Sequence, residues 1–149
     1  MARPPGRLSR LLYRLPLVAY RVRLGRLLGR RFLRLGHTGR VSERLRHTVL
    51  EVVAELDGDP VVVAAFAPRC DWYRNLLADP ATSVAWGRVS GTATTRILEE
   101  EAAAEVLADY VRRRPRSARN IDRLLGLDLV DDPRAAAEVL PVVRLTLDR

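Results

Sequence analysis

The chain has 149 residues, 48% of them apolar, and a formal net charge of +8. That size and composition suit one folded domain with a single core and exclude a disordered chain. The lone cysteine, Cys70, rules out an intrachain disulfide and a thiolate metal cluster.

Every one of the 26 basic residues is arginine, and they are unevenly spread. Residues 1–42 hold eleven arginines and no acid, whereas 43–149 hold fifteen arginines against eighteen acids. The positive charge is thus a property of the N-terminal segment. The remaining domain is mildly acidic, so its charge does not point to nucleic acid. An arginine-rich adaptor for lipid or nucleic acid would rest on residues 1–42 alone. No apolar stretch is long enough to span a membrane, because arginine interrupts each one. The default location is the cytoplasm.

Residues 7–35 read as helix, interrupted near Pro16. Leu17, Tyr20, Leu24, Leu27 and Leu28 share one face, with Arg23, Arg26, Arg30 and Arg34 opposite. Such a basic amphipathic helix either packs its leucines on the domain or lies on the anionic inner face of the cell membrane. We divide the chain accordingly into 1–35, the basic segment, and 36–149, the domain proper.

From Arg46 the period becomes that of strands. Thr48 to Glu55 is a strand, Asp57-Gly58-Asp59 a hairpin turn, and Pro60 to Phe66 a short strand buried on both faces. Pro68 to Cys70 is a loop. Asp71 is expected to cap a short helix through Ala78, which Pro80 ends. Thr82 to Trp86 and Val89 to Leu98 flank Gly87-Arg88 as a second hairpin. Glu99 to Arg113 is a helix with acids at its start and arginines at its end. Ser117 to Leu125 and Pro133 to Val139 are further helices, and Pro141 to Leu147 is a closing strand. Five or more mostly antiparallel strands with helices in the connections predict an α+β protein built on a small barrel.

Two segments carry chemistry. In Thr38-Gly39-Arg40-Val41-Ser42-Glu43-Arg44-Leu45-Arg46, a turn in which Gly39 can supply positive φ presents Arg40, Arg44 and Arg46. Turn amides and guanidinium forks together suit a phosphate or carboxylate, although a plain surface turn has the same composition. In Asp71-Trp72-Tyr73-Arg74-Asn75-Leu76-Leu77-Ala78-Asp79-Pro80, Trp72 and Asn75 project from one helical turn. An indole and a carboxamide can seat a heterocycle, or they can be a core tryptophan and a backbone-bonded amide. His37 and His47 lack the carboxylate spacing of a metal site, and no metal is expected.

In this order and spacing the two segments resemble the deazaflavin (F-420)-dependent nitroreductase family, also called the F-420H2-dependent quinone reductases. The family pattern is a Thr-Gly-Arg-(Lys/Arg)-Ser-Gly turn, then Asp/Pro-x-Trp-Tyr-x-Asn-Leu-x-Ala-x-Pro. Leu140-Pro141-Val142-Val143 is similar to its closing strand, and the likeness covers roughly residues 35–147. The resemblance implies a split β-barrel, FMN-binding-like, that uses coenzyme F-420, an 8-hydroxy-5-deazaflavin with a phosphate and polyglutamate tail. It implies hydride transfer to a small electron-poor acceptor, a quinone or nitroaromatic, and a homodimer. By the same resemblance Arg40, Ser42 and Arg46 belong to the tail site, with Val41 and Arg44 beside them. Ala64, Ala65, Phe66 and Ala67 match the strand end and loop facing the deazaflavin ring, and Trp72 and Asn75 match the second motif. The catalytic residue is not fixed; Tyr73 and Tyr110 are the candidate proton donors, beside solvent. Val41 replaces the usual Lys or Arg, Glu43 the usual Gly, and the Ala65–Pro68 loop is short and lacks the usual Ser and Gly. Those departures leave open a relative that binds F-420 without efficient turnover, or a user of FMN or haem on the same barrel.

Overall fold

A computed structural model of the chain describes residues 29–149 apart from residue 68. Seven strands among them form one antiparallel, curled sheet in the order β2-β1-β5-β6-β7-β4-β3. They are β1 (Phe32–Thr38), β2 (Leu45–Glu51), β3 (Ala54–Leu56), β4 (Asp59–Val63), β5 (Ala81–Trp86), β6 (Val89–Ile97) and β7 (Val142–Leu147). Helix α1 (Asp71–Ala78) joins β4 to β5, while α2 (Glu100–Arg113), α3 (Pro115–Leu125) and α4 (Pro133–Val139) lie between β6 and β7.

The sheet separates two cores. Leu33, Leu35, Val62, Val84, Trp86, Val143 and Leu145 fill the concave side, closed by Trp72 and Leu76 of α1. Val61 and Val142 face the other way, against Ala103, Val106, Leu107 and Tyr110 of α2 and Leu129. β4 and β7 are therefore buried on both faces, which is why Val61-Val62-Val63 and Val142-Val143 are unbroken apolar runs rather than alternations. Each aliphatic side chain enclosed in this way contributes about 1.5–3 kcal/mol.

Local chemistry sets most boundaries. Asp57 and Gly58 both have positive φ (52° and 82°), the requirement of a tight two-residue hairpin turn, and Leu56 pairs with Asp59 across it. Asp59 then anchors β7: its carboxylate accepts from Arg144 Nη2 (2.7 Å), Arg144 Nε (3.0 Å) and the Leu147 amide (3.1 Å). Asp132 caps α4 by accepting from the Ala135 amide, with Pro133 as its first helical residue. Helix α2 buries Ala103, Val106, Leu107 and Tyr110, the i, i+3, i+4, i+7 face of its sequence.

Three expectations change. Residues 32–35 are strand, not the end of a helix: Phe32-Leu33-Arg34-Leu35 alternates, and Leu33 and Leu35 are fully buried in the concave core. The rest of that expected helix, up to residue 28, lies outside the described residues. The strand expected over Thr48 to Glu55 is two strands, broken at Val52 and Val53, whose amides bond to the Arg31 and Val61 carbonyls. The cap of α1 is Cys70, and Asp71 is its first residue, free to use its carboxylate elsewhere.

Candidate functional site

β1 alternates inward and outward, so Leu33, Leu35 and His37 share the concave face. Leu33 and Leu35 fill the core, and His37 stands at its rim, only 5% exposed. β2 runs back beside β1 and puts Arg46 directly opposite His37. Residues 39–44 connect the two strands in a turn closed by Gly39 N–H to the Arg44 carbonyl (2.9 Å) and Glu43 N–H to the Gly39 carbonyl (2.8 Å).

The left-handed residue of that turn is Glu43, with φ of 56°, and not Gly39. A Cβ at position 39 would run into the Ser42 hydroxyl and come within 3.3 Å of Arg46 Nε, so those two side chains would have to shift. The Arg46 guanidinium thus lies across the glycine.

Helix α1 holds the turn. Asn75, 3% exposed, accepts at Oδ1 from the Arg40 amide (3.1 Å) and Arg40 Nη1 (2.9 Å), and its Nδ2 faces His37 Nδ1 at 2.9 Å. Asp71, one helical turn earlier on the same face, pairs with Arg40 at 3.3 Å. The two sequence segments are therefore hydrogen-bonded to each other through Arg40.

The expected site residues fall into three groups. Arg44 and Arg46 are exposed cations with no acidic partner among the described residues, and Val41 and Ser42 are exposed beside them. Arg40, Asn75 and Trp72 are committed to the protein: Arg40 to Asp71 and Asn75, Trp72 to the concave core. Trp72 is packed in the concave core, and Asn75 spends its amide on the turn. Ala64 is buried, and its amide donates to the Pro141 carbonyl (2.9 Å). Ala65, Phe66 and Ala67 are half-buried in the loop that leads into α1, with Ala67 packed on the concave core.

Electrostatics sort the titratable groups. Burial, then Arg46 and His47, push His37 below its usual 6.5, against the opposing pull of Asp71. Burial and Arg34 lower His47 too. Burial raises the Tyr73 phenol, which stacks edge-on to Trp72 at 6.1 Å, so it stays protonated at neutral pH. Tyr110 is not in this site. It is fully buried in the helix-side core and donates to Glu51 Oε2 (3.1 Å), with burial and the Glu51 charge pushing its phenol upward. Burial likewise raises the half-buried Cys70 thiol.

A cavity of about 580 Å³ opens at the other end of β1, between Arg30, Val52, Leu56, Trp86, Val106 and Arg113. It includes none of the residues of the two segments. Its cations are engaged: Arg30 with Glu55 (3.1 Å) and over the Trp86 ring (3.7 Å), Arg113 with Asp109 (2.7 Å). Among the described residues no helix is long and apolar enough to cross a membrane.

Sequence reasoning missed His37 and Asp71 as parts of the site. His37 continues the Leu33, Leu35 alternation, and Asp71 precedes Asn75 by one helical turn; those spacings were the available signals.

Comparison with known proteins bears on this arrangement. Among curated proteins none matches the sequence. A solved F420-H2 dependent reductase (FDR-A) is 24% identical, covering 78% of this chain and 95% of its own, with a TM-score of 0.56. A domain-swapped dimer is 23% identical over 87% of this chain and 98% of its own, with a TM-score of 0.56. HutZ, the heme storage protein from Vibrio cholerae, is 17% identical over 87% of this chain and 89% of its own, with a TM-score of 0.55. These likenesses establish the split-barrel fold. The model of one family, described as F420H(2)-dependent quinone reductase, matches residues 13–128, a stretch that contains both segments, and the chain belongs to that family of F-420-using reductases.

Proposed function

We propose that the protein reduces a small electron-poor acceptor, a quinone in the first instance, with F-420 held by its tail at the 39–46 turn. The observation that carries this reading is the division of labour among the three arginines. Arg40 is fastened to α1 and makes the turn rigid, which leaves Arg44 and Arg46 as unpaired cations on a preformed scaffold. Guanidinium groups of that kind bind phosphate and carboxylate oxygens without first breaking an internal ion pair. The residues present fit the cofactor: a tail of negative charge meets two arginines with no acidic partner among the described residues, and Arg46 Nε stands close to Gly39. The Ala64–Ala67 loop, which leads into α1, supplies three small side chains and the half-buried Phe66 ring as the surface on which a flat ring would rest.

When bound, reduced F-420 supplies the hydride. The chain's own tasks are to grip the tail, present the loop to the ring and deliver a proton to the acceptor. Tyr73, protonated and beside Trp72 on α1, is the side chain for that last task, with solvent as its rival. Trp72 and Asn75 act by shape, fixing α1 against the barrel. The arginines of residues 7–28 would hold the protein at anionic lipid; removal of residues 1–28 is expected to abolish flotation with anionic vesicles. A homodimer is inferred as well, and sedimentation would show it.

The test is a fluorescence titration with F-420 and, separately, FMN. F-420 is expected to bind and FMN to bind more weakly. Arg46→Ala should weaken F-420 by about tenfold or more, the size of one lost contact to a charged group. A change within a factor of two would remove Arg46 from the tail site.

A further inference from the structure

We propose that His37 is a positioning residue for the cofactor-gripping turn, acting through Asn75, and that it does so only as the neutral imidazole with its proton on Nε2. The inference rests on the turn being the tail site.

Two donors from Arg40, its backbone N–H and Nη1, converge on one side of the Asn75 carboxamide at 3.1 and 2.9 Å. That side must be the oxygen, because the –NH2 group has no acceptor capacity. The nitrogen is then the atom 2.9 Å from His37 Nδ1, so Nδ1 must accept. The His37 tautomer is thereby dictated by an arginine on the far side of the amide.

Protonation at Nδ1 would set two donors face to face. Rotating the amide offers no escape, since it would point –NH2 at the Arg40 N–H and guanidinium. Either way a bond inside the His37–Asn75–Arg40 chain breaks. Because this chain fixes Arg40, it also fixes the turn on which Arg44 and Arg46 stand. The charges around His37 are Arg46 and His47 on β2, Asp71 on α1 and Arg40 beyond the amide; Thr82 and Ser83, adjacent on β5, carry none. Arg46 and His47 oppose a positive charge on His37, and Asp71 favours it. Acidification therefore uncouples the turn from α1, and a neutral His37 locks it.

Three proteins test this: wild type, His37→Asn and His37→Leu. Asparagine keeps an acceptor near the Nδ1 position and cannot titrate; leucine has no acceptor. In the unliganded wild type, nitrogen-15 spectra of the imidazole should show Nε2 protonated and Nδ1 bare at neutral pH. Amide signals of residues 39–44 should move in step with His37 titration. At one pH unit below the His37 midpoint read from those spectra, wild type should have lost about tenfold more F-420 affinity than His37→Asn, and His37→Leu should be about tenfold weak throughout. The cofactor's own ionisation is common to all three and cancels in the ratio. A proton on Nδ1 in the neutral protein, or superimposable pH profiles for wild type and His37→Asn, would overturn the proposal. If none of the three binds F-420, the cofactor reading fails. The spectra alone then decide, and turn amides that ignore His37 titration would refute the coupling.

Discussion

Glu43→Gly separates backbone strain from charge at the turn. Glu43 sits at φ of 56°, a region that costs an ordinary L-residue about 1–2 kcal/mol and glycine nothing. Glycine also carries about 0.5–1 kcal/mol more unfolded-state entropy, which offsets part of the gain. The Glu43 amide keeps its bond to the Gly39 carbonyl, and its carboxylate has no ion-pair partner among the described residues, so nothing else is lost. The net expectation is a stabilisation of about 0.5–1 kcal/mol, or a melting temperature higher by about 1–4 °C. The charge acts separately. At roughly 8 Å in water, removing one negative charge favours a doubly charged tail by about 1 kcal/mol, cut to about 0.4 kcal/mol by physiological salt. F-420 affinity should therefore rise about fivefold at low salt and about twofold at physiological salt. Glu43→Gln keeps the Cβ and removes the charge, so it should match the affinity gain without the stability gain. Denaturant midpoints at constant slope and fluorescence titrations at two ionic strengths measure both. If Glu43→Gly lowers the midpoint, or Glu43→Gln raises it equally, the strain argument is refuted.

Asn75→Ala should cost about 2–3 kcal/mol in urea unfolding, since it strands His37 Nδ1 and the Arg40 amide; a loss below about 0.5 kcal/mol would show that the bonds are not made in solution. Tyr110→Phe should leave F-420 oxidation rates unchanged, because its hydroxyl reaches Glu51 and not the turn; a fall of about tenfold in kcat would restore it as a proton donor. At Asp59 burial favours the neutral acid, but the Arg144 and Leu147 hydrogen bonds and the Arg144 and Arg149 charges outweigh it, so the carboxyl is held below its usual 3.8. The stability it contributes is present above pH 3.8 and lost as pH falls through the folded-state value. Asp59→Asn should thus destabilise at neutral pH and flatten the acid limb of the unfolding curve. His37 becomes charged on protonation where Asp59 becomes neutral, and the direction is the same. Its lowered value means that the unfolded chain takes up the proton first, so stability declines as pH drops below 6.5 until the folded-state value is passed. His37→Asn should remove that decline.

What could be read from the sequence was local. Asp57-Gly58 announced its hairpin, Pro133 its helix, and the Glu99–Arg113 segment its acidic start and basic end, because each depends on residues within a few turns of chain. Both motifs were legible as well, since residue type and spacing are what define them. Their use of one another was not. Trp72 and Asn75 project from α1 as expected, yet only tertiary packing decides that the indole fills the concave core and the amide bonds the turn. Leu27 and Leu28 carried the helical period to a point where Phe32-Leu33-Arg34-Leu35 had already begun to alternate, and short windows cannot arbitrate such an overlap. The assignment of positive φ to Gly39 failed because Glu43 takes the left-handed position of the turn, and composition does not say which residue of a turn will do so.

The placement of β7 has a consequence for biosynthesis. It hydrogen-bonds β6 on one side and β4 on the other, with Val61 paired to Arg144 far along the chain. A nascent polypeptide that has emerged only through α4 thus exposes two naked sheet borders, each a template for intermolecular pairing. The half bearing the arginine turn and the half bearing the Ala64–Ala67 loop acquire their mutual alignment when this late ribbon zips between them. Refolding should therefore be slow to align them, and the chain prone to aggregation until β7 docks.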